Sequence, residues 1–169
     1  MISYSSTVDT PNGAFTVVAD DEAVLASGWT GDVRELLPLV PPMPEPAPRA
    51  DLGVITKAVL AYHEGDLAAI DAVPVRPGFG GAFLSAAWEE LRRIRPGEPV
   101  SYTGLAARAG RPAAVRAAAQ ACARNPCALF VPCHRVVRID GGLGGFRWGL
   151  PVKRWLLRWE ASAHDETRV

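Results

Sequence analysis

The chain has 169 residues, 49% of them apolar, and 18 basic against 18 acidic side chains. That is enough apolar material for one compact unit or two small ones, which excludes a disordered chain. No apolar run approaches the roughly 20 residues of a membrane span, and no basic start precedes a long hydrophobic region, so the expected location is the cytoplasm. Three cysteines, at 122, 127 and 133, do not make a disulfide framework and suit a reducing compartment. The zero net charge hides an asymmetry: residues 1–75 carry three basic and eleven acidic side chains, residues 76–169 fifteen and seven. The second part is therefore the one suited to meet phosphate.

In chain order, residues 2–8 and 14–19 are rich in β-branched and aromatic residues and flank the turn Pro11-Asn12-Gly13, a hairpin signal. A third run, Ala23 to Trp29, follows Asp20-Asp21-Glu22 and completes an expected three-stranded antiparallel meander. Six prolines between 38 and 48 predict an exposed connection. Val54, Ile55, Ala58, Val59 and Tyr62 repeat at helical spacing before Gly65, with His63 expected as a solvated cation at that helix end. Asp71 to Gly81 reads as a linker, which divides the chain into a sheet-and-helix domain over 1–75 and a mainly helical domain over 80–162.

In the second domain a helix is expected from Ala82 to Ile94, with Phe83, Ala87, Leu91 and Ile94 on one face and Trp88 near the core. Ser101 is a good N-cap for a helix from Tyr102 to Ala109, Gly110-Arg111-Pro112 a turn, and Ala113 to Ala123 a second, alanine-rich helix. Two short helices around a glycine turn suggest a helix-turn-helix. Small side chains let a helix approach a groove closely, and Arg108, Arg111, Arg116 and Arg124 surround this one with charge.

Residues 125–137 hold an apolar run that ends in Cys133-His134-Arg135. The thiolate is the nucleophile, so a reactive cysteine needs a base or cation beside it, and His134 and Arg135 can supply both. Pro132 holds Val131 extended, so the chain should arrive at Cys133 as a strand end and turn sharply. The bland alternative is a buried core thiol. Beyond it, Asp140-Gly141-Gly142-Leu143-Gly144-Gly145-Phe146 reads as a flexible loop able to bring backbone near a flat ligand. Pro151 then opens a last helix with an expected apolar stripe of Val152, Trp155, Leu156 and Trp159. Glu160 closes it, an acid in an unfavourable place beside a helix C-terminus.

The string Pro132-Cys133-His134-Arg135-Val136 resembles the active-site signature of the O6-alkylguanine-DNA alkyltransferases, the methylated-DNA–protein-cysteine methyltransferases. The likeness extends upstream through Ser101-Tyr102, Leu105-Ala106, Gly110, Pro112, Ala114-Val115-Arg116 and Asn125-Pro126. Downstream it takes in Gly141 to Gly144, Val152-Lys153, Trp155 to Leu157 and Glu160. It covers residues 95–160 well and the N-terminal half weakly.

The resemblance implies an α/β protein in two parts: a small antiparallel-sheet N-terminal domain and a mainly helical C-terminal domain with a winged-helix-like helix-turn-helix. It implies irreversible, single-turnover transfer of an alkyl group, mainly methyl, from O6 of guanine in duplex DNA to Cys133, with the base flipped out through the minor groove. Glu160 would orient His134, which deprotonates Cys133 through a water; Tyr102 would donate to the leaving guanine and Asn125 would brace the backbone. Arg116 would fill the vacated stack. Tyr102, Arg111, Ala117, Arg124 and Arg135 complete the expected DNA contacts, Arg135 would also hold nearby structure by salt bridging, and Val131, Pro132, Phe146, Arg147 and Trp148 would form the lesion pocket. The partner is double-stranded DNA containing O6-alkylguanine, bound by a monomer without a cofactor. Some relatives carry a zinc site near their N-terminus, but its ligands are missing here, so no metal is expected.

The chain departs from the family at Phe83 to Trp88 and at Phe146-Arg147-Trp148, where Trp148 should narrow the pocket and favour methyl over benzyl groups. Cys127 is expected as a core thiol, with a disulfide to Cys133 on oxidation as the alternative. Rival readings are a non-transferring alkyltransferase-like binder, a helix-turn-helix regulator and an unrelated Cys-His hydrolase.

Overall fold

The computed structural model describes residues 2–78 and 80–167, with side chains as far as Ala163. Two compact units emerge: the first takes in the chain as far as Gly78 and returns for Pro126–Phe130, and the second holds the stretch between and the chain from Val131 onward.

In the first unit, β1 (Tyr4–Thr10) and β2 (Gly13–Ala19) form the expected hairpin, registered from Tyr4 opposite Ala19 to Thr10 opposite Gly13. Gly13 takes φ +93°, a conformation a side chain would resist. Strand β3 (Val24–Gly28) pairs antiparallel to β2 with a register shift at Val18/Ala19. The sheet has four strands rather than three, in the order β3-β2-β1-β4. The extra strand, β4 (Ala47–Pro48), lies in the proline-rich stretch and pairs parallel to β1. Ala47 donates to the Ser3 carbonyl and Arg49 to that of Ser5, so Pro48, with no N–H, falls on the residue that need not donate.

Helix α1 (Val54–His63) buries Thr56, Ala58, Val59 and Tyr62. His63 is not the solvated cation expected: it is half-buried, its Nδ1 lies 2.8 Å from the Val59 carbonyl, and burial pushes its pKa below the ordinary value. The expected linker is fastened down over its first half. Leu67–Ala72 is a 3-10 turn, Val24 donates to the Pro74 carbonyl, Arg76 donates back to Val24, and the Arg76 guanidinium pairs with Asp20 at 2.6 Å.

In the second unit, α2 (Ala82–Leu91) turns Leu84, Ala87, Trp88 and Leu91 inward, while Phe83 is only half-buried. Trp88 is 5% exposed and its indole N–H donates to the Ala121 carbonyl at 2.9 Å, so its single polar atom is satisfied. Strand β5 (Val100–Ser101) leads into α3 (Tyr102–Arg108), capped by the Ser101 hydroxyl accepting from Gly104 N–H at 2.9 Å. The second helix, α4 (Val115–Ala123), starts two residues later than expected, because Ala114 N–H closes a turn onto the Arg111 carbonyl. Its alanines 118 and 121 are fully buried, and their small size lets α4 pack close to its neighbours. Strand β6 (Val136–Val137) pairs parallel with β5, which brings the start of α3 beside the segment that follows Cys133.

The last helix, α5 (Leu150–Thr167), continues well past Glu160, which therefore sits inside the helix and not beside its C-terminal dipole. Its inward face is also not the expected stripe. Lys153, Leu156 and Glu160 are 0% exposed, while Val152, Trp155 and Trp159 are half-buried, the two tryptophans stacking at 5.3 Å. No helix among the described residues is long and apolar enough to cross a membrane.

Candidate active site

The nucleophile segment reaches its place through turns rather than as a strand end. Leu129 adopts φ +74°, the one non-glycine residue with positive φ among those described, although its side chain is fully buried. Pro132 then takes φ −82°, ψ 66°, and Cys133 N–H donates to the Val131 carbonyl at 2.8 Å. That is an inverse γ-turn, whose φ the proline ring presets. The Asn125 amide donates to the same Val131 carbonyl at 2.8 Å and so braces the turn. Cys133, His134 and Arg135 form one 3-10 turn, all three buried.

Behind the thiol lies a buried polar chain. His134 Nε2 is 2.7 Å from Glu160 Oε2, and a carboxylate only accepts, so Nε2 carries the proton and Nδ1 is the basic nitrogen. Nδ1 is buried and has no hydrogen-bond partner among the described residues. Arg135 donates from Nε to Glu160 Oε1 and from Nη2 to Oε2, both at 2.9 Å, and from Nη1 to the Ile94 carbonyl at 2.7 Å. Burial alone would push the Glu160 carboxyl up, but His134 and Arg135 outweigh it and hold it at about 2. Burial pushes the His134 imidazole below its ordinary value despite Glu160, which keeps it neutral at physiological pH.

In front of the thiol is a cavity of about 560 Å³ lined by Tyr102, by Ala119, Gln120, Cys122 and Ala123 of α4, by Cys133, and by Gly145, Phe146 and Arg147 of the glycine loop. This lies within the range of about 300–1,000 Å³ that small-molecule sites occupy. Burial pushes the Cys133 thiol up; a hydrogen bond from the Asn125 side chain and the charges of Lys153 and Arg147 pull it back without cancelling the rise. Burial, then the neighbouring thiols of Cys122 and Cys133, push the Tyr102 phenol up to about 12, so it stays a proton-bearing donor. The Lys153 ammonium donates to the Gly145 carbonyl at 3.2 Å and stands 5.8 Å from the centre of the Tyr102 ring.

Among the residues singled out from sequence, the structure brings together Tyr102, Asn125, Cys133, His134 and Glu160 as one cluster. Of the expected pocket residues, Phe146 and Arg147 line the cavity. Val131, Pro132 and Trp148 do not: Val131 and Pro132 are buried in the turn, and Trp148 is half-buried off the lining. Arg111, Arg116 and Arg124 are exposed and Ala117 half-buried around α4. Arg135 is 1% exposed and engaged by Glu160 and Ile94, so the expected salt bridge forms while the expected contact with DNA has no exposed guanidinium to make it. Cys127 is a core thiol of the first unit, its S–H directed at the Leu25 carbonyl at 3.4 Å.

Sequence reasoning missed Lys153 and the cavity-facing residues of α4. A lysine three residues before Leu156 and seven before Glu160 places two charges on one helical face, which was a readable sign of a buried polar site. Among the described residues no three of His, Cys, Asp and Glu cluster as a metal site would require.

Residues 82–162 match the family described as 6-O-methylguanine DNA methyltransferase, DNA binding domain. The chain is 33% identical over 160 residues to a methylated-DNA–protein-cysteine methyltransferase of Haemophilus influenzae, covering 93% of this chain and 86% of that protein. It is 39% identical over 152 residues to the bifunctional transcriptional activator/DNA repair enzyme Ada of Escherichia coli, spanning 88% of this chain but only 40% of that longer protein. Likewise it spans 63% of a methylated-DNA–protein-cysteine methyltransferase of Salmonella typhimurium, at 41% identity. In structure it resembles the O6-methylguanine methyltransferase of Mycobacterium tuberculosis, with a TM-score of 0.78, 27% identity and coverage of 96% and 94% of the two chains. The same protein solved in complex with DNA matches with a TM-score of 0.79 at 28% identity.

Proposed function

Because the chain belongs to the family of methylated-DNA–protein-cysteine methyltransferases, we propose that it repairs DNA by moving an alkyl group from O6 of guanine onto its own Cys133. The observation that carries the reading is the buried Glu160–His134 pair on the residue that follows Cys133, whose thiol lines the cavity.

At rest the buried thiol keeps its proton. His134, neutral and with Nε2 held by Glu160, offers Nδ1 to take that proton through a water, and the thiolate then attacks the alkyl carbon. The carbon–sulfur bond forms as the carbon–oxygen bond breaks, and the electron pair returns to the guanine. Tyr102 donates to the ring as that charge develops, a role suited to a phenol that does not ionise near neutrality. The imidazolium left on His134 is stabilised by the Glu160 carboxylate. The product is a thioether, a poor leaving group, so each molecule acts once.

The base must leave the duplex to reach the cavity, at a cost of a few kcal/mol. Arg116, exposed on α4, fills the vacated stack, while Arg111 and Arg124 meet phosphate and the small residues of α4 permit close approach through the minor groove. The decisive experiment is intact-mass spectrometry after mixing the protein with a duplex containing O6-methylguanine. One added methylene mass per molecule, absent in Cys133→Ala, is the expected result. Tight lesion binding with no mass change would replace this reading with a non-transferring binder.

A further inference from the structure

We infer that Arg147 is a latch that closes the glycine loop onto α4, and that this closure sets how large an O6 substituent the cavity accepts. The inference rests on the alkyl-transfer reading above.

The cavity has two walls of different origin. One is the second half of α4, through Ala119, Gln120 and Ala123; the other is the loop Gly145-Phe146-Arg147. Each end of the loop segment is tied by side-chain bonds, the inner end also through the Gly145 backbone to Tyr102. At the inner end the fully buried Lys153 donates to the Gly145 carbonyl at 3.2 Å. Beside it, Gly144 at φ +72° lies so close to the Tyr102 hydroxyl that no side chain would fit. At the outer end the Arg147 guanidinium crosses to the opposite wall and donates to the Ala123 carbonyl at 3.1 Å.

Ala123 is the last residue of α4, where carbonyls have no partner within the helix and the helix dipole is negative. A guanidinium is the group such an end attracts. The two ties differ in exposure: the lysine bond is part-buried with a fully buried donor, whereas Arg147 is exposed and its bond competes with solvent. The loop is therefore held firmly beside Tyr102 and loosely at its rim. A flat base with a methyl group reacts in the latched slot, but a bulky substituent needs the loop to swing about its inner tie. Trp148, the residue the sequence singled out for this task, does not line the cavity.

The test compares wild type with Arg147→Met, which keeps the length and loses the donor, and with Trp148→Ala. Single-turnover transfer rates are measured on duplexes containing O6-methylguanine and O6-benzylguanine. Because the Arg147 charge also favours the Cys133 thiolate, both rates can fall in the first variant, and the ratio is the readout. The expected result is a benzyl-to-methyl ratio raised ~5-fold in Arg147→Met, the effect of losing an exposed hydrogen bond of about 1 kcal/mol. Amide hydrogen exchange over residues 145–148, which needs no reaction, should quicken in the same variant. An unchanged ratio together with unchanged exchange overturns the latch, and so does a ratio raised by Trp148→Ala alone. Absence of methyl transfer by the wild type would instead sink the alkyl-transfer reading, leaving the exchange measurement to judge the latch.

Discussion

Replacing Glu160 by Gln tests the buried polar chain most directly. The carboxyl is held at about 2 rather than near its ordinary 4.5, which corresponds to about 3 kcal/mol of folding stability. A depressed carboxylate stabilises the fold above its unfolded pKa, and that contribution fades as pH falls from about 5 towards 2. Gln offers Arg135 a neutral amide in place of a carboxylate, so the substitution leaves a cation that is 1% exposed without its counter-charge. Breaking a buried pair from one side costs about 3–5 kcal/mol. Urea unfolding of wild type and Glu160→Gln, followed by circular dichroism, should therefore give a gap of about 3 kcal/mol or more near neutral pH, narrowing towards about pH 3. A gap that is independent of pH, or below about 1 kcal/mol near neutrality, would refute the account. Replacing Arg135 and Glu160 together by apolar residues of similar size should cost less than Glu160→Gln, because no unpaired charge is left behind.

Three further outcomes are expected. Asn125→Ala removes a hydrogen bond that favours the Cys133 thiolate, so the pH midpoint of Cys133 alkylation by iodoacetamide should rise; a midpoint that stays or falls contradicts this. Gly144→Ala puts a Cβ onto the Tyr102 hydroxyl at a backbone φ of +72°, so both melting temperature and transfer rate should drop, and wild-type values of both would show that the loop yields freely. Ser101→Ala deletes the cap of α3 and should cost about 1 kcal/mol by urea titration.

How far the fold was legible depends on whether its determinants are local. The β1–β2 hairpin could be read because alternation and an Asn-Gly turn lie within a few residues of one another. Strand β4 could not: a stretch with six prolines argues against a strand, and only the alternation of donors at Ala47 and Arg49 around Pro48 makes this edge possible. The cap at Ser101 was readable and the start of α4 was not, since Arg111 to Ala114 closes its own turn before the helix begins. On α5, apolar periodicity picked out Trp155 and Trp159, which mainly stack on each other, while the helix turns Lys153 and Glu160 inward. Periodicity assumes that the buried face is the apolar one. A helix that builds a polar site violates that assumption.

The same violation bears on Arg135, for which both a salt bridge and a DNA contact are expected and only the salt bridge is seen. An arginine beside a nucleophile in a basic region is naturally read as a phosphate contact, yet here its neighbour His134 is already committed to Glu160. Consecutive residues on a 3-10 turn diverge by roughly a third of a circle, and still both reach one carboxylate, because Glu160 presents Oε2 to His134 and both oxygens to Arg135. Were Arg135 drawn out to DNA, a carboxylate that is 0% exposed would lose its guanidinium partner. The Glu160 carboxyl would then move up from about 2, so at low pH it would take up a proton sooner and the imidazolium formed during transfer would lose its counter-charge there. Arg135 thus supports the chemistry by keeping Glu160 ionised, so Arg135→Met should slow alkyl transfer most at low pH while leaving affinity for undamaged duplex unchanged. An equal loss at every pH, accompanied by weaker duplex binding with a smaller salt dependence, would return Arg135 to the DNA surface.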